Sequence, residues 1–399
     1  MKKQQQIELI RRLVGESEHS SKNNSSASTE ISPGFTRIST DRYTNKNQLD
    51  LEQAALFRQL PIIVAHSSEI AEAGSYVTEE VDSVPLIILR DHDNNVRVFV
   101  NACRHRGAKL LQGDGGKCGR LLVCPYHAWS YKLNGDLAGV PERQSFGEAD
   151  FSELNLVPVQ FSQYLGYIWA VLDGDSNDKP DVAAMLGETL SEDFERFNFD
   201  QQLMYTKVQR LSNCNWKLVM DAFAEGYHLR SLHKDSLARF FMHTSIHDDY
   251  YPHVRQMGGR KTLLHEIEKK PEDWNFRLNT TLFYNMFPNT ILVFHPHWIS
   301  QMSLFPDGPD KVRIVHRMIV EELPENDEIK AKLQASFDHI QGQVFEKEDL
   351  AISADIQTTL ASGVNTHFTV GGMEAGVKIF HAARDNFIAA YKKQRNELG

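Results

Sequence analysis

Two short segments carry the residue types that most constrain the chemistry of this chain. Cys103-Arg104-His105-Arg106-Gly107 and Cys124-Pro125-Tyr126-His127-Ala128-Trp129 each place one thiol and one imidazole within a few residues. Two thiolates and two imidazoles form the ligand set of a [2Fe–2S] cluster in which His replaces Cys on one of the irons. Such a cluster moves electrons one at a time. Cys-x-His and Cys-x-x-His each let one tight loop turn both side chains inward. Gly107 and the run through Gly113, Gly115, Gly116 and Gly119 relieve backbone strain between the loops. Pro125 stiffens the second loop, and Tyr126 and Trp129 are placed to exclude water. A structural zinc site is the bland alternative for Cys2His2. Cys-x-His is an unusual first half for a zinc finger, however, and zinc requires neither flanking sequence.

A cluster of this kind delivers electrons but does not act on a substrate, so a terminus is needed. The segment Asn215-Trp216-Lys217, followed by Asp221, Glu225, His228 and His233, is the candidate. Glu225 and His228 are three apart and share a face if the segment is helical. His228 and His233 are five apart, which in an ideal helix separates them by roughly 140°. One metal reaches both only if the helix ends or bulges between them, near Ser231. Two His plus a carboxylate make the facial triad of non-haem Fe(II) oxygenases, which leaves positions open for O2. Glu225 and Asp235 are the nearest acids in sequence, but the third ligand need not be local. A later helical stretch holds Phe345-Glu346-Lys347-Glu348-Asp349-Leu350. Read alone, Asp349 is a solvated charge there. With 17 His in the chain, a pair five apart is also weak alone. His243, His247, His253 and His265 read as ordinary loop or surface residues.

The pattern C-x-H-R-G with C-P-Y-H-x-W resembles the Rieske domain of the ring-hydroxylating oxygenase large (α) subunits. The resemblance runs from about residue 43 to Tyr391. The eighteen residues between His105 and Cys124 make that linker slightly longer than is usual in the family. The resemblance implies a Rieske [2Fe–2S] cluster on Cys103, His105, Cys124 and His127. It also implies a mononuclear Fe(II) on His228, His233 and Asp349, with Asp349 preferred over Glu348 and Asp355. It assigns Glu225 as a bridge between a Rieske His of one subunit, His127 rather than His105, and an iron-binding His of its neighbour. The family usually has Asp at the bridge and Glu four residues earlier. Here the two are exchanged, Asp221 then Glu225, and the quaternary-amine branch of the family also carries Glu there. A carboxylate suits a bridge because it accepts an imidazole N–H from each side.

The elements that position these residues divide in two. The expected fold class is α+β: an all-β Rieske domain over residues 43–175, then a helix-grip catalytic domain (an antiparallel sheet with helices) over 176–399. Residues 1–42 read as a flexible N-terminal segment after a short amphipathic piece, Ile7 to Leu13. Pro85–Arg90 and Val96–Val100 flank a hairpin signal at Asp93-Asn94-Asn95. A second hairpin turns at Asn134-Gly135, and Tyr167–Val171 reads as a strand. Gly174 to Pro180 marks a boundary. Tyr205–Leu211 reads as a strand and 215–232 as a helix. Thr280–Phe305 and Val312–Val320 read as antiparallel strands, 325–360 as helix, and 374–393 as a final helix. No dinucleotide fingerprint or P-loop is visible.

Composition sets further bounds. The 399 residues suffice for two substantial cores. A net charge of −10 argues against a general binder of nucleic acid or anionic membrane. No apolar run has the length of a membrane span or signal peptide, so the expected compartment is the cytoplasm. Cys118 and Cys214 read as free thiols.

These readings converge on a terminal oxygenase, a mono- or dioxygenase fed by a separate ferredoxin and/or flavin reductase and drawing on NAD(P)H. The resemblance implies a homotrimer, with a small β subunit as a further partner. The cycle would take an electron through His127 and Glu225 to iron, and O2 would then hydroxylate a small organic substrate. Oxidation of an aromatic compound is the leading expectation. Oxidation or demethylation of a quaternary or N-methylated amine is the alternative, encouraged by Glu225. Phe283, Tyr284, Phe287, Phe294 and Trp298 could line a pocket, although sheet core is their default role. A Rieske electron carrier or redox sensor, lacking the mononuclear iron, is the reading from a different class.

Overall fold

The structure is a computed structural model that describes residues 2–22, 34–174 and 179–398. It resolves into two compact units. One holds residues 57–185 with 199–201, and the other holds 1–56, 186–198 and 202–399.

The smaller unit is all-β. Ser75–Val81, Val84–Arg90 and Val96–Val100 form an antiparallel meander, with Gly115–Lys117 added beside Ser75–Val81. The linker between the ligand loops is therefore an edge strand. Three short strands, Leu121–Val123, Ser130–Lys132 and Leu137–Gly139, make a second sheet, and Ile62–His66 with Gln160–Tyr164 and Tyr167–Val171 make a third. The expected hairpins at Asn94 and Gly135 are present, both in the left-handed region, with φ of 64° and 96°. Ile87, Leu89, Phe99, Leu122 and Tyr131 pack into one core that includes Cys103 and Cys124.

The larger unit is built on a seven-stranded antiparallel sheet. Its order is Leu203–Ser212, Val312–Val320, Ile299–Pro306, Thr290–Phe294, Thr280–Met286, His253–Arg260 and Phe241–Tyr250. Side chains alternate across a strand, so one face collects Gln256, Arg260, Phe283, Ser300 and His316. Three helical segments in series, Asp327–Asp338, His339–Leu350 and Ala351–Leu360, follow the sheet, and the middle one is π-helical. Side-chain bonds link residues five apart along it, Gln341 to Glu346 at 2.9 Å and Gln343 to Glu348 at 3.3 Å. Such segments concentrate at functional sites.

Three expectations are corrected. The chain before residue 42 is not simply a flexible tail. Lys3–Lys22 is a helix whose apolar positions Leu9, Ile10 and Leu13 are buried, and its Arg12 pairs with Asp248 at 2.8 Å. Of that segment, residues 23–33 lie outside the described residues, as do 175–178 of the expected boundary at Gly174 to Pro180. The compact β unit begins at residue 57 rather than 43, because Thr36–Ser39 pairs with His367–Val370 and Tyr43 donates to Asp221 at 2.6 Å. The strands Phe241–Tyr250 and His253–Arg260 were not expected. Arg255 of the second pairs with Asp248 of the first at 2.7 Å, and His253 is buried with its Nδ1 accepting the Phe287 N–H at 2.9 Å.

Candidate metal centres and cavity

The two ligand loops of the smaller unit repeat one construction. Gly107 N–H bonds Cys103 C=O at 2.8 Å, and Ala128 N–H bonds Cys124 C=O at 3.0 Å. Each turn closes on a residue of positive φ, Gly107 at 77° and Ala128 at 58°. Ala128 tolerates this region poorly, so the turn is held by its surroundings. Trp129 C=O, for example, accepts the Cys124 N–H at 2.8 Å. Both thiols are free and buried. Tyr131 Oη lies 3.3 Å from Cys103 Sγ and accepts the Arg104 N–H at 3.0 Å. Burial, then the Cys103 contact, pushes the Tyr131 hydroxyl up, so it remains a donor to sulfur.

His105 and His127 lie side by side, with ring centroids 4.7 Å apart. His105 stacks on Trp129 at 5.0 Å and 6°, while Tyr126 covers His127 at 3.7 Å. Burial and the nearby His127 and Arg106 charges hold His105 below its ordinary value, which favours the neutral ligand form. Two buried thiols, two adjacent imidazoles and an O–H aimed at sulfur fit a [2Fe–2S] centre.

In the larger unit the NWK lead-in anchors a helix, Trp216–Phe223. Asn215 caps it by accepting the Lys217 N–H at 3.0 Å. Trp216 Nε1 and Lys217 Nζ both donate to the buried carboxylate of Glu52, at 3.0 and 2.7 Å, and Arg384 joins it at 2.5 Å. Burial lowers the Lys217 ammonium to about 8. The helix ends at Phe223, well before the expected position 232. Gly376 of the last helix packs against the Ala224 carbonyl so closely that a Cβ would collide with it. Glu225 and His228 therefore do not share a helix face. They meet across the turn that follows, where the Glu225 carboxylate accepts the backbone N–H of Tyr227 and, at 3.3 Å, that of His228.

That turn and a short helical turn at His228–Arg230 redirect the chain. His228, His233 and Asp349 converge, with one ligand atom from each all lying within 4.8 Å of one another. Asp349 Oδ1 is 3.1 Å from His233 Nε2 and 3.8 Å from His228 Nε2. The far nitrogens are fixed by carboxylates: His228 Nδ1 meets Glu225 Oε1 at 2.5 Å, and His233 Nδ1 meets Glu348 Oε2 at 2.6 Å. Each carboxylate accepts an Nδ1–H and leaves the Nε2 lone pair for a metal. Ser236 Oγ donates to Glu348 at 2.7 Å. Burial lowers the His233 imidazole, but Asp349 and Glu348 outweigh it and hold the group above its ordinary value. The set fits a mononuclear non-haem Fe(II) with open positions.

Of the other candidates, Asp235 and Asp355 are exposed, and Asp221 bonds Tyr43 and His381 instead. Sequence reasoning missed Glu348 as the partner of His233, and also Ser236 and Glu52. The only sequence signal for Glu348 was its position beside Asp349.

The triad opens on a cavity of about 1090 Å³. Phe283 and Trp298 line it, whereas Tyr284, Phe287 and Phe294 are core. One wall carries a directional hydrogen-bond chain. Gln341 Nε2 donates to Glu346, so Gln341 Oε1 accepts His316 Nδ1–H at 2.5 Å. His316 Nε2 then accepts from Ser300 Oγ at 2.9 Å, and Ser300 accepts His295 Nε2–H at 3.1 Å. Burial lowers His316 to about 4 and pulls His295 well below its ordinary value, so both are neutral at pH 7.

Residues 61–158 match the family model of the Rieske [2Fe-2S] domain, and residues 192–390 match that of the ring hydroxylating alpha subunit catalytic domain. The carnitine monooxygenase oxygenase subunit of Escherichia coli (strain K12) is 29% identical over 331 residues, 80% of this chain and 83% of that protein. The chloroplastic choline monooxygenase of Atriplex hortensis is 27% identical over 325 residues, 80% and 70% of the two chains. In fold, the chain superposes on naphthalene 1,2-dioxygenase from Rhodococcus sp. bound to indole with a TM-score of 0.74, 20% identity, and coverage of 96% and 98%. Among the described residues no helix is long and apolar enough to cross a membrane. The matches to both family models, on an α+β frame whose residues fit a [2Fe–2S] cluster and a mononuclear iron, make the chain a member of the Rieske oxygenases, a ring-hydroxylating α-subunit-type terminal component that takes electrons from a partner protein and uses O2 on a small substrate.

Proposed function

We propose that the chain is a monooxygenase of a quaternary or N-methylated amine. The observation that carries this reading is the likeness, over four fifths of the chain, to oxygenases of two different quaternary amines. The shared fold does not choose, because an aromatic dioxygenase has it too. The leading sequence expectation, an aromatic substrate, therefore gives way to its alternative. The bound cluster would supply single electrons, and the bound iron would activate O2. The protein's part is to hold the substrate. Phe223, Phe240, Phe241, Phe283, Trp298 and Phe345 line the cavity, and aromatic faces attract an alkylated ammonium. One oxygen atom enters a substrate C–H bond, and the other leaves as water with two electrons and two protons.

His127 is exposed, and among the described residues its ring nitrogens make no hydrogen bond, while Glu225 holds His228. This supports the expected head-to-tail trimer, in which the His127 of one subunit bonds the Glu225 of the next. We take the donor to be a ferredoxin or flavin reductase and the setting to be the cytoplasm. Glu225→Gln should keep the cluster and, with iron supplied to saturation, still lower turnover about 10- to 100-fold. The substrate reading is tested by supplying the holoenzyme with a surrogate reductase, 18O2, alkylammonium compounds and aromatic compounds. One labelled oxygen in an amine-derived product is expected. Oxygenation of aromatic compounds alone would overturn the reading.

A further inference from the structure

Other cations packed within the larger unit are bonded. Arg255 pairs with Asp193 and Asp248, Arg384 and Lys217 share Glu52, and Arg277 donates to the carbonyls of His295 and Trp298. Arg260 differs. It ends the strand His253–Arg260, opposite Phe241, and lines the cavity. Its Nε is fully buried with no hydrogen-bond partner. Among the described residues its guanidinium makes no hydrogen bond or ion pair, only a stacking contact over the Phe241 ring at 5.2 Å. A buried N–H left without an acceptor is unfavourable, and more so on a charged group.

Among the described residues that line the cavity, no carboxylate is free to answer it. The carboxylates that line the cavity, Glu225 and Asp349, already serve His228 and the metal position. The wall histidines are neutral, and the Arg260 charge itself helps keep His295 so. A second polar group stands on the same sheet face. Thr281 pairs with Gly258, two residues before Arg260, and its buried Oγ1 also has no partner. Arg260 shares the cavity with the triad, and its strand partner Phe241 follows the loop after His233. The N–H groups of Ser236, Leu237 and Ala238 all fold back onto the His233 carbonyl.

We propose that Arg260, assisted by Thr281, is the receptor for a carboxylate at the far end of the substrate. This rests on the amine reading and deepens it. The substrate would be a zwitterion, an N-methylated ammonium joined to a carboxylate, rather than an amino alcohol such as choline. Arg260 is thus a specificity-determining residue, and the guanidinium fork matches a carboxylate bidentately.

The test uses holoenzyme and calorimetric titration with 4-trimethylammoniobutanoate, its uncharged-end methyl ester, choline and benzoate. Wild type should bind the acid about 10- to 100-fold more tightly than the ester, the scale of a charge-assisted pair. Arg260→Gln should erase that ratio by weakening the acid alone, and Arg260→Lys should restore part of it. In turnover, KM for the acid should rise more than kcat falls. Wild type that treats acid and ester alike, or a variant that weakens both equally with a lowered Tm, would overturn the proposal. Binding of benzoate that depends on Arg260, without binding of any ammonium compound, would uphold the anion receptor and remove the amine reading instead.

Discussion

At His228 and His233 each imidazole is tied through Nδ1 to a carboxylate of its own chain, at 2.5 and 2.6 Å. At His105 and His127 the rings are held by stacking on Trp129 and Tyr126, and among the described residues neither makes a hydrogen bond. The first site is closed electrostatically within one chain. The second fixes its thiols in a core and leaves its imidazoles at the surface. The difference teaches where each centre's chemistry is controlled. The buried triad sets metal affinity through fixed acceptors, whereas the surface histidines stay available to another molecule. Hydrogen bonds to ligating imidazoles raise ligand basicity, so His228 and His233 should be the stronger donors.

Breaking the thiol side should have the largest local effect. Cys124→Ser should abolish the cluster's visible and electron-paramagnetic signals, because Cys124 is one of the two buried thiols that would hold the cluster. The mononuclear iron should survive, and iron analysis with spectroscopy checks both. A smaller effect is expected from Glu348→Gln. It keeps the size of the side chain but lowers its strength as an acceptor, and iron affinity should fall about 10- to 100-fold, read by chelator competition.

The smallest effect concerns pH. Burial depresses His316 to about 4 from its ordinary 6.5. Between those values the unfolded chain binds a proton that the folded chain refuses. The group's contribution to stability is therefore present above 6.5 and is lost as the pH falls through 4. His316→Asn should flatten that part of the Tm-against-pH curve. An equal slope in the variant would show that the wall histidines do not titrate as their burial dictates.

What was legible in the sequence follows the same division. The cluster ligands lie within twenty-five residues, each pair on one turn, so Cys103, His105, Cys124 and His127 could be read from spacing alone. His228 and His233 were half legible, since their spacing demanded a break in the helix. The break falls at Ala224 rather than near Ser231, because the last helix closes on the Ala224 carbonyl at Gly376. Asp349 needed the family pattern, and Glu348 was invisible as a partner. Its bond to His233 spans 115 residues, and the π-helical turn that presents both acids has no mark in the local apolar pattern. Arg260 lay in a strand that was not read at all. The run His253–Arg260 is polar and glycine-bearing, yet its first five residues are all buried, so neither alternation nor an apolar run reveals it. The final helix, the central strands and the two hairpins were legible because their periodicity and turn residues are local.

The account's central claim is that this chain carries two iron centres whose determinants are separate. Asp349→Ala tests it most directly, by iron content per chain alongside the cluster's spectrum. Wild type should hold three irons, and the variant should hold two with the cluster signal intact. A variant that keeps all three irons, or that loses the cluster as well, would contradict the claim.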